Sequence, residues 1–243
     1  IRNNNNIGQP SSSHSSGVFL SGISNLVIRN NLFQNNGKPT SGFDHNVYLS
    51  GCDSVLFENN EITGTNNVKI RGGSDVTVRA NHFHDLDNSI GMGASNSSGD
   101  LFNVVVEGNL FEDVRDSIAM FNQATAGPSR GIRGASIRNN VMRDNKTGPG
   151  GWPSFVTLTD VVEDLIFEHN TIVDVAGEQI IGLSPANGSS NLIIRNNIFT
   201  STDNSYSIIR ALNSLALSIL SIDHNLYFAT GPLLQNNSNV HYD

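Results

Sequence analysis

A histidine, a tyrosine, a lysine and an arginine lie in two consecutive segments and have the side chains of an acid–base site. They are His45 and Tyr48 in one segment and Lys69 and Arg71 in the next. A lysine with a lowered pKa removes protons, and a tyrosine can protonate a leaving oxygen. An arginine holds a carboxylate through two parallel hydrogen bonds. These residue types predict proton transfer beside a bound acid group, if the fold brings the segments together.

A short sequence motif with an asparagine at its centre recurs along the chain, and we call it the phrase. Its spacing sets where the two segments lie in the fold. In each copy an apolar residue lies three positions before the asparagine, and a large residue lies two positions after it. The asparagines are Asn31, Asn60, Asn81, Asn109, Asn140, Asn170, Asn197 and Asn225. Their spacings vary between 21 and 31 residues, which helical repeats of fixed length do not show. The repeat therefore predicts a solenoid with coils of unequal length.

The phrase is strand-like, because apolar residues alternate along it and a turn follows. Strands that return once per coil stack in parallel, and parallel connections are right-handed. We expect an all-β chain: one single-stranded right-handed parallel β-helix domain of about eight coils over residues 1–243. The asparagines are expected to hydrogen-bond from coil to coil as a ladder. Since residues 1–4 resemble the end of a phrase, we also expect further coils upstream.

Two more columns follow from the same register. The residue before each asparagine is mostly Asn, Gly or His, which tolerate a left-handed backbone, and Ala80 is the exception. One position earlier the charge alternates at every coil, through Arg29, Glu58, Arg79, Glu107, Arg138, Glu168, Arg195 and Asp223. We expect an exposed ladder of ion pairs, worth about 0–1 kcal/mol each.

A second alternating strand, which we call the front strand, precedes each phrase. Its first and third residues are expected to point into the core, and its second and fourth residues to solvent, where they form the front face. The outward pairs in coil order are Phe19 and Ser21, Tyr48 and Ser50, Lys69 and Arg71, Gly91 and Gly93, Ala119 and Phe121, Thr157 and Thr159, and Gly182 and Ser184. This register places Tyr48 directly below Lys69, on a face that is otherwise mostly small and neutral.

Other residues near the front face are candidates for binding a ligand. Segments 94–103, 122–134 and 143–153 border it and are expected to wall a groove. We assign substrate binding to Phe19, Asn46, Phe121 and Trp152, since an exposed aromatic ring can stack on a sugar. No metal site is assigned, although His82 and His84 flank Phe83, point outward together and are weak candidates for metal ligands.

Composition excludes several classes of partner. The 243 residues carry a net charge of −8 and a pI of about 5.2, which argues against nucleic acid. The one cysteine, Cys52, allows no intramolecular disulfide and no cysteine metal cluster. No apolar run is long enough to span a membrane. We expect a monomer.

Stacked phrases with an internal asparagine ladder resemble the pectate-lyase superfamily of parallel β-helices. It includes pectate lyases, alginate lyases and epimerases, chondroitinase-type lyases, polygalacturonases and phage tailspikes. The Tyr48 and Lys69 pair is similar to that of some β-helical alginate lyases. The resemblance implies a secreted or periplasmic enzyme that cleaves an alginate-like or pectate-like polysaccharide by β-elimination. The resemblance makes calcium a candidate cofactor, as in pectate lyases, but no outward carboxylate cluster identifies a site for it, so no cofactor is assigned.

In such an elimination Arg71 is expected to neutralise the C5 carboxylate, Lys69 to remove the C5 proton and Tyr48 to protonate the leaving oxygen. The roles of Lys69 and Tyr48 are interchangeable at this stage, and His45 is expected to orient Tyr48 or to help neutralise the carboxylate. A C5-epimerase shares the first step. A glycoside hydrolase needs two or three carboxylates, which the outward pairs lack. A non-catalytic carbohydrate-binding or adhesin solenoid predicts a longer track of exposed aromatic residues.

Overall fold

The computed structural model describes most of the chain and shows a parallel β-solenoid. The described residues are 5–7, 16–36, 45–64, 67–121, 130–144, 154–173, 179–201, 207–229, 231–236 and 241–242. Trp152 and parts of the segments expected to wall the groove, 122–129 and 145–153, lie outside these residues. The predicted all-β architecture is confirmed, since strand follows strand in parallel register through the described coils.

Each coil contributes strands to three parallel stacks. The first stack, built from the front strands, includes β2 (Ser16–Ser21), β13 (Val156–Leu158), β16 (Gln179–Leu183), β19 (Ser207–Ala211) and β22 (Leu234–Asn236). The second includes β3 (Ser24–Arg29), β9 (Leu101–Glu107), β11 (Gly131–Arg138), β14 (Val161–Glu168), β17 (Ser190–Arg195) and β20 (Leu220–Asp223). The third includes β1 (Asn5–Ile7), β4 (Leu32–Gln34), β6 (Glu61–Thr63), β12 (Val141–Arg143), β15 (Thr171–Val173), β18 (Ile198–Ser201) and β21 (Leu226–Ala229).

Four long strands bend around a corner and so belong to two stacks each. They are β5 (His45–Glu58), β7 (Val68–Arg79), β8 (His82–Gly93) and β10 (Leu110–Met120). A short helix, α1 (Ser214–Ile219), is capped by Asn213, and β23 (His241–Tyr242) pairs antiparallel with β22. No helix in the described part of the chain has the length and apolarity to cross a bilayer.

The core is a set of apolar columns that run along the solenoid axis. The column three residues before the asparagines is buried from Ile28 to Ile194, and only its last member, Ile222, is exposed. The column two residues after them contains Phe83 and Phe111, whose rings stack 5.0 Å apart. Since each inward side chain packs on the equivalent one in the next coil, the alternation read from the sequence is sufficient to define the core.

The asparagine ladder is continuous through all eight predicted positions. Each side-chain amide donates to the Oδ1 of the next asparagine at 2.9–3.1 Å, from Asn31 through to Asn225. The same Oδ1 atoms also accept from the backbone N–H of the asparagine in the preceding coil, for example Asn81 to Asn109 at 2.9 Å. The ladder therefore satisfies polar groups that the coil would otherwise bury without partners.

The predicted left-handed column is confirmed, and the predicted charge column forms ion pairs along part of its length. Every residue before a ladder asparagine has a left-handed backbone, including Ala80 with φ 52°. This conformation costs an alanine about 1–2 kcal/mol, so the repeat imposes the turn against the local preference of Ala80. In the charge column, ion pairs join Arg29 and Arg79 to Glu58, Arg138 to Glu107, and Arg195 to Glu168.

Candidate active site on the front face

The predicted register of the front face is confirmed. Tyr48 pairs with Lys69 and Ser50 with Arg71 across β5 and β7. In the next coil the same two columns continue as Gly91 and Gly93 in β8. Two segments separated in sequence therefore present a phenol, an amine and a guanidinium on adjacent rungs of one sheet.

The expectation that Lys69 and Arg71 point freely into solvent is wrong. Lys69 is only 7% exposed and Arg71 only 2%. Both side chains lie against the Phe121 ring, with Lys69 Nζ 3.5 Å and Arg71 Cζ 4.6 Å from its centroid. Phe121 is two coils further along, so alternation within one strand gives no sign of this cover.

The guanidinium of Arg71 is held by main-chain oxygens. Its Nη1 donates to the carbonyl of Phe121 at 2.7 Å and to that of Ala94 at 3.2 Å. Burial lowers the pKa of Arg71, while Tyr48 and Asp160 act in the opposite direction. Because this cation is covered and already bonded, it is placed to act on its neighbours through its charge.

Lys69 has the properties of an unprotonated amine at neutral pH. Burial, and then the positive charge of Arg71, lower its pKa from the ordinary 10.5 to about 6. The Phe121 ring favours the charged form, but a cation–π contact is worth only about 2 kcal/mol when desolvated. The lowered pKa corresponds to roughly 6 kcal/mol, so burial and Arg71 dominate. A neutral amine is what a general base requires.

Two glycines make room for this arrangement. A Cβ atom on Gly93 would lie 2.1 Å from the Phe121 carbonyl oxygen and 2.8 Å from Arg71 Nη1. A Cβ atom on Gly91 would meet Lys69, Asn67 and Phe121 side-chain atoms at 3.1–3.2 Å. The Lys69 and Arg71 side chains of one coil thus pack over Gly91 and Gly93 of the next coil, where no side chain occupies the space.

We predict that Gly93→Ala disturbs this site more than Gly91→Ala. In Gly93→Ala the new methyl group overlaps the Phe121 carbonyl oxygen, which should lower the free energy of unfolding by about 1–3 kcal/mol. The second meets only side-chain atoms that can shift, so its cost should be below about 1 kcal/mol. Chemical denaturation of both variants measures the difference. Equal stabilities would contradict the close packing at Gly93.

An aromatic stack lies on the first two coils of the front face. The rings of Phe19 and Tyr48 are 5.2 Å apart, and those of Tyr48 and His45 are 5.3 Å apart, all close to parallel. His45 Nδ1 also lies 2.6 Å from Asn67 Oδ1. His45 is buried, Tyr48 is partly exposed, and Phe19 is 60% exposed. His45 is therefore placed to orient Tyr48, while the Phe19 ring is largely exposed.

The other predicted binding residues have different surroundings. Asn46 is fully buried, and its Oδ1 accepts from Asn36 Nδ2 at 2.8 Å, so its side chain is not on the outer surface. Phe121 is partly exposed but covers the two cations. The Asn46 side chain therefore connects the start of β5 to Asn36, and Phe121 covers Lys69 and Arg71.

Segment 94–103, which we expect to wall a groove, lies within the described residues. A tight turn closes between Ser95 and Gly99, whose backbones exchange two hydrogen bonds of 2.9 Å. Ser98 packs against Gly51 and Gly72, and its Oγ lies 2.6 Å from Ser50 Oγ. Arg130 donates to the Ser95 and Asn96 carbonyls. This turn, residues 95–99, borders the Arg71 side of the face.

Sequence reasoning missed Asp160, a buried carboxylate next to this site. It accepts hydrogen bonds from the N–H groups of Val161 and Ala94, and Ala94 in turn accepts from Arg71. Burial raises its pKa, although Arg71 opposes this, and its Oδ2 has no hydrogen-bond partner. One feature of the sequence could have indicated Asp160. The position after the front strand is Gly22, Gly51, Gly72 and Ala94 in the first four coils, and it changes to a carboxylate at Asp160.

His82 and His84 do lie side by side, with rings 4.5 Å apart, but their ring nitrogens already contact carboxylate oxygens. His82 Nε2 is 3.2 Å from Glu112, and His84 contacts Asp85 and Glu61 at 2.9 and 3.2 Å. Burial lowers the pKa of His84, but these two hydrogen bonds outweigh it and raise the pKa. In the described ranges no group of three or more His, Cys, Asp or Glu side chains has an arrangement that could hold a metal ion.

Comparison with known proteins gives one match. Residues 16–214 match the family described as "Right handed beta helix region". Searches of the curated proteins and of the solved structures find no significant match. The matched range contains Phe19, His45, Tyr48, Lys69, Arg71, Phe121 and Asp160.

Proposed function

This chain belongs to the right-handed β-helix family, and from that premise we propose that it is a polysaccharide lyase acting on a uronic-acid-containing chain. The fold is consistent with proteins that act on or bind polysaccharides. The observation that carries the narrower proposal is the buried amine of Lys69, its pKa lowered to about 6, one rung from the Tyr48 phenol and beside Arg71. These are the groups that β-elimination needs: a base, a proton donor and a fixed positive charge.

The proposed reaction removes the proton on C5 of a 4-linked uronate. Lys69 Nζ takes this proton, and the electron pair left on carbon forms the C4–C5 double bond as the C4–oxygen bond breaks. Tyr48 donates its phenolic proton to the leaving oxygen. One product carries an unsaturated uronate and the other a free hydroxyl group. Proton exchange with solvent then restores the neutral amine and the phenol.

Arg71 has a different role from the carboxylate fork that its type first suggests. Its Nη1 already binds the Ala94 and Phe121 carbonyls, so a substrate carboxylate would have to displace these bonds. In the proposed site Arg71 adds to the effect of burial in lowering the pKa of Lys69, and it supplies a positive potential toward the C5 carboxylate. His45 holds Tyr48 by ring stacking.

A glycoside hydrolase is the second candidate, and Asp160 is the observation in its favour. A carboxylic acid with a raised pKa is the usual proton donor of such enzymes. Asp116, before the front part of β10, is a second carboxyl whose pKa burial raises. Asp160 is fully buried, however, so a sugar has no direct contact with it. We therefore rank hydrolysis below elimination.

The test is incubation of the protein with alginate, pectate and glycosaminoglycan chains, with and without calcium. A lyase gives products that absorb in the ultraviolet through the new double bond, without consuming water. New reducing ends without this absorbance would indicate a hydrolase. Exchange of the C5 proton with deuterated solvent in an uncleaved chain would indicate an epimerase. The absence of all three signals on every chain would refute the enzymatic proposal and leave a binding solenoid.

A further inference from the structure

Asp160 is a buried carboxyl group that the proposed elimination does not use. It is fully buried, so a sugar has no direct contact with it. Its Oδ1 accepts from the N–H of Val161 at 2.7 Å, and its main-chain carbonyl accepts from the N–H of Ala186 at 3.0 Å. Burial of a carboxyl group is costly unless its contacts offset the loss of water. The role of Asp160 therefore depends on the groups it contacts inside the protein.

These contacts lead to Arg71 through a single residue. The Asp160 carboxyl accepts from the N–H of Ala94, and the carbonyl of Ala94 accepts from Arg71 Nη1 at 3.2 Å. Burial lowers the pKa of Arg71 and raises that of Asp160, and the attraction between the two groups opposes both changes. Ala94 thus turns its carbonyl oxygen to the cation and its N–H to the carboxyl group.

The parallel strand ladder does not supply this connection. Strand β10 pairs with β8 on one side and with β13 on the other, so the strands that lead to Ala94 and Asp160 are two rungs apart. The carboxyl group therefore makes a contact that skips one rung. Three earlier coils have a glycine at the same position, which has no side chain for such a contact: Gly22, Gly51 and Gly72. The repeat itself does not require a carboxyl group there.

We propose that Asp160 is a positioning residue of the lyase site, which through Ala94 keeps the Arg71 guanidinium against the Phe121 carbonyl and beside Lys69. The catalytic consequence of this inference rests on the proposed function. Asp160 touches no substrate and acts only through Arg71, whose second bond, to the Phe121 carbonyl, is 2.7 Å long. The carboxyl group that would otherwise favour hydrolysis thereby has a role in elimination.

Two substitutions of Asp160 separate its hydrogen bonds from its charge. Asp160→Ala removes the acceptor that holds Ala94. Asp160→Asn keeps one acceptor oxygen in the same shape, and its amide nitrogen replaces Oδ2, which has no hydrogen-bond partner. Asp100→Ala is the matched control, because Asp100 also accepts from a backbone N–H, that of Gly131, and from an arginine, Arg133.

The first measurement is the pKa of Lys69 by NMR titration of isotope-labelled lysines, without substrate. The chain has three lysines, and the signal of Lys69 is the one missing from Lys69→Met. In Asp160→Ala the released Arg71 moves away, so the pKa of Lys69 should rise by about 1 or more. Asp160→Asn and Asp100→Ala should keep the wild-type value. If Asp160→Ala does not fold, Asp160→Gly takes its place with the same expected rise.

Two results of this titration would overturn the proposal. A lower pKa of Lys69 in both Asp160→Ala and Asp160→Asn would show that the carboxyl group acts only as a nearby negative charge. An unchanged pKa in both would show that Asp160 holds only its own turn. Neither result depends on whether the protein cleaves a polysaccharide.

The second measurement is the rate of uronate cleavage. For Asp160→Ala we expect kcat to fall about 10–100-fold, since a misplacement of about 1 Å can cost about 10²-fold, and Asp160→Asn should restore most of the rate. An asparagine variant as inactive as the alanine variant would indicate a proton donor instead and would overturn the positioning role. If the wild type cleaves no chain, the lyase proposal fails, while the titration still decides whether Asp160 positions Arg71.

Discussion

Lys69→Ala lowers the turnover of uronate cleavage by about 10²–10⁴-fold in our expectation, because the reaction loses its base. Lys69→Arg should be almost as inactive, since a guanidinium stays charged and cannot accept the C5 proton. The measurement is the initial rate of unsaturated product on the best chain of the panel. Full activity of either variant would remove Lys69 from the mechanism.

The pH dependence of the cleavage rate is an independent test of Lys69 as the base. The base acts when its amine is neutral, so wild-type activity should rise as pH increases through about 6, the pKa of Lys69. An ordinary lysine would place this rise near pH 10. If kcat/KM rose only near pH 10, the pKa of Lys69 would be that of an ordinary lysine. This result would contradict the effect of burial and of Arg71 on that pKa, even if Lys69 proved essential.

Stability tests the charge state of Lys69 without any substrate. The pKa of Lys69 is lower in the folded chain than in the unfolded one, so between pH 6 and 10.5 the unfolded chain holds a proton that the folded chain lacks. The unfolding free energy of the wild type should therefore increase relative to Lys69→Met by about 1.4 kcal/mol per pH unit in this window. Below pH 6 the difference should be constant. A difference independent of pH throughout would show that Lys69 is charged in the fold.

Asn140→Ala has the largest effect on stability that we expect. The side chain accepts from the backbone and the amide of Asn109, and it donates to Val106 and Asn170, all at 2.9–3.0 Å in a buried site. The variant leaves several of these groups without partners, at about 1–3 kcal/mol for each buried one. The free energy of unfolding should fall by about 3–5 kcal/mol, as measured by chemical denaturation.

Asn139, the residue before Asn140, provides the control variant. Asn139 is exposed and has a left-handed backbone with φ 55°, which glycine also adopts. Asn139→Gly should change stability by less than about 0.5 kcal/mol, since it keeps the turn and removes only a solvated amide. Similar losses in both variants would mean that the turn, and not the ladder, is the source of stability.

The repeating part of the structure was predictable because it depends on neighbours in the same register. One pattern around Asn81 or Asn140 identifies the inward columns, the left-handed turn and the alternating charges. The same register correctly stacks Tyr48 on Lys69. Even Ala80 follows the repeat, although its own preference opposes a left-handed turn.

The environment of the site was not predictable, because it depends on contacts between coils that alternation does not encode. Lys69 and Arg71 occupy outward positions, yet Phe121 and Ala94 cover them from later coils. Asp160 joins this cluster from further along still. Whether a side chain on a strand is solvated or covered depends on loops and on the size of residues one rung away, such as Gly91 and Gly93.

The alternating charge column has a consequence for how this solenoid can evolve. Deleting the one coil that carries Glu107 would place Arg79 beside Arg138, two like charges on adjacent strands, which is unfavourable. Deleting two consecutive coils would keep every neighbouring pair opposite in sign. The smallest neutral unit of duplication or loss is therefore a pair of coils. Lineages that keep the alternating charge column should therefore gain or lose its internal coils in even numbers.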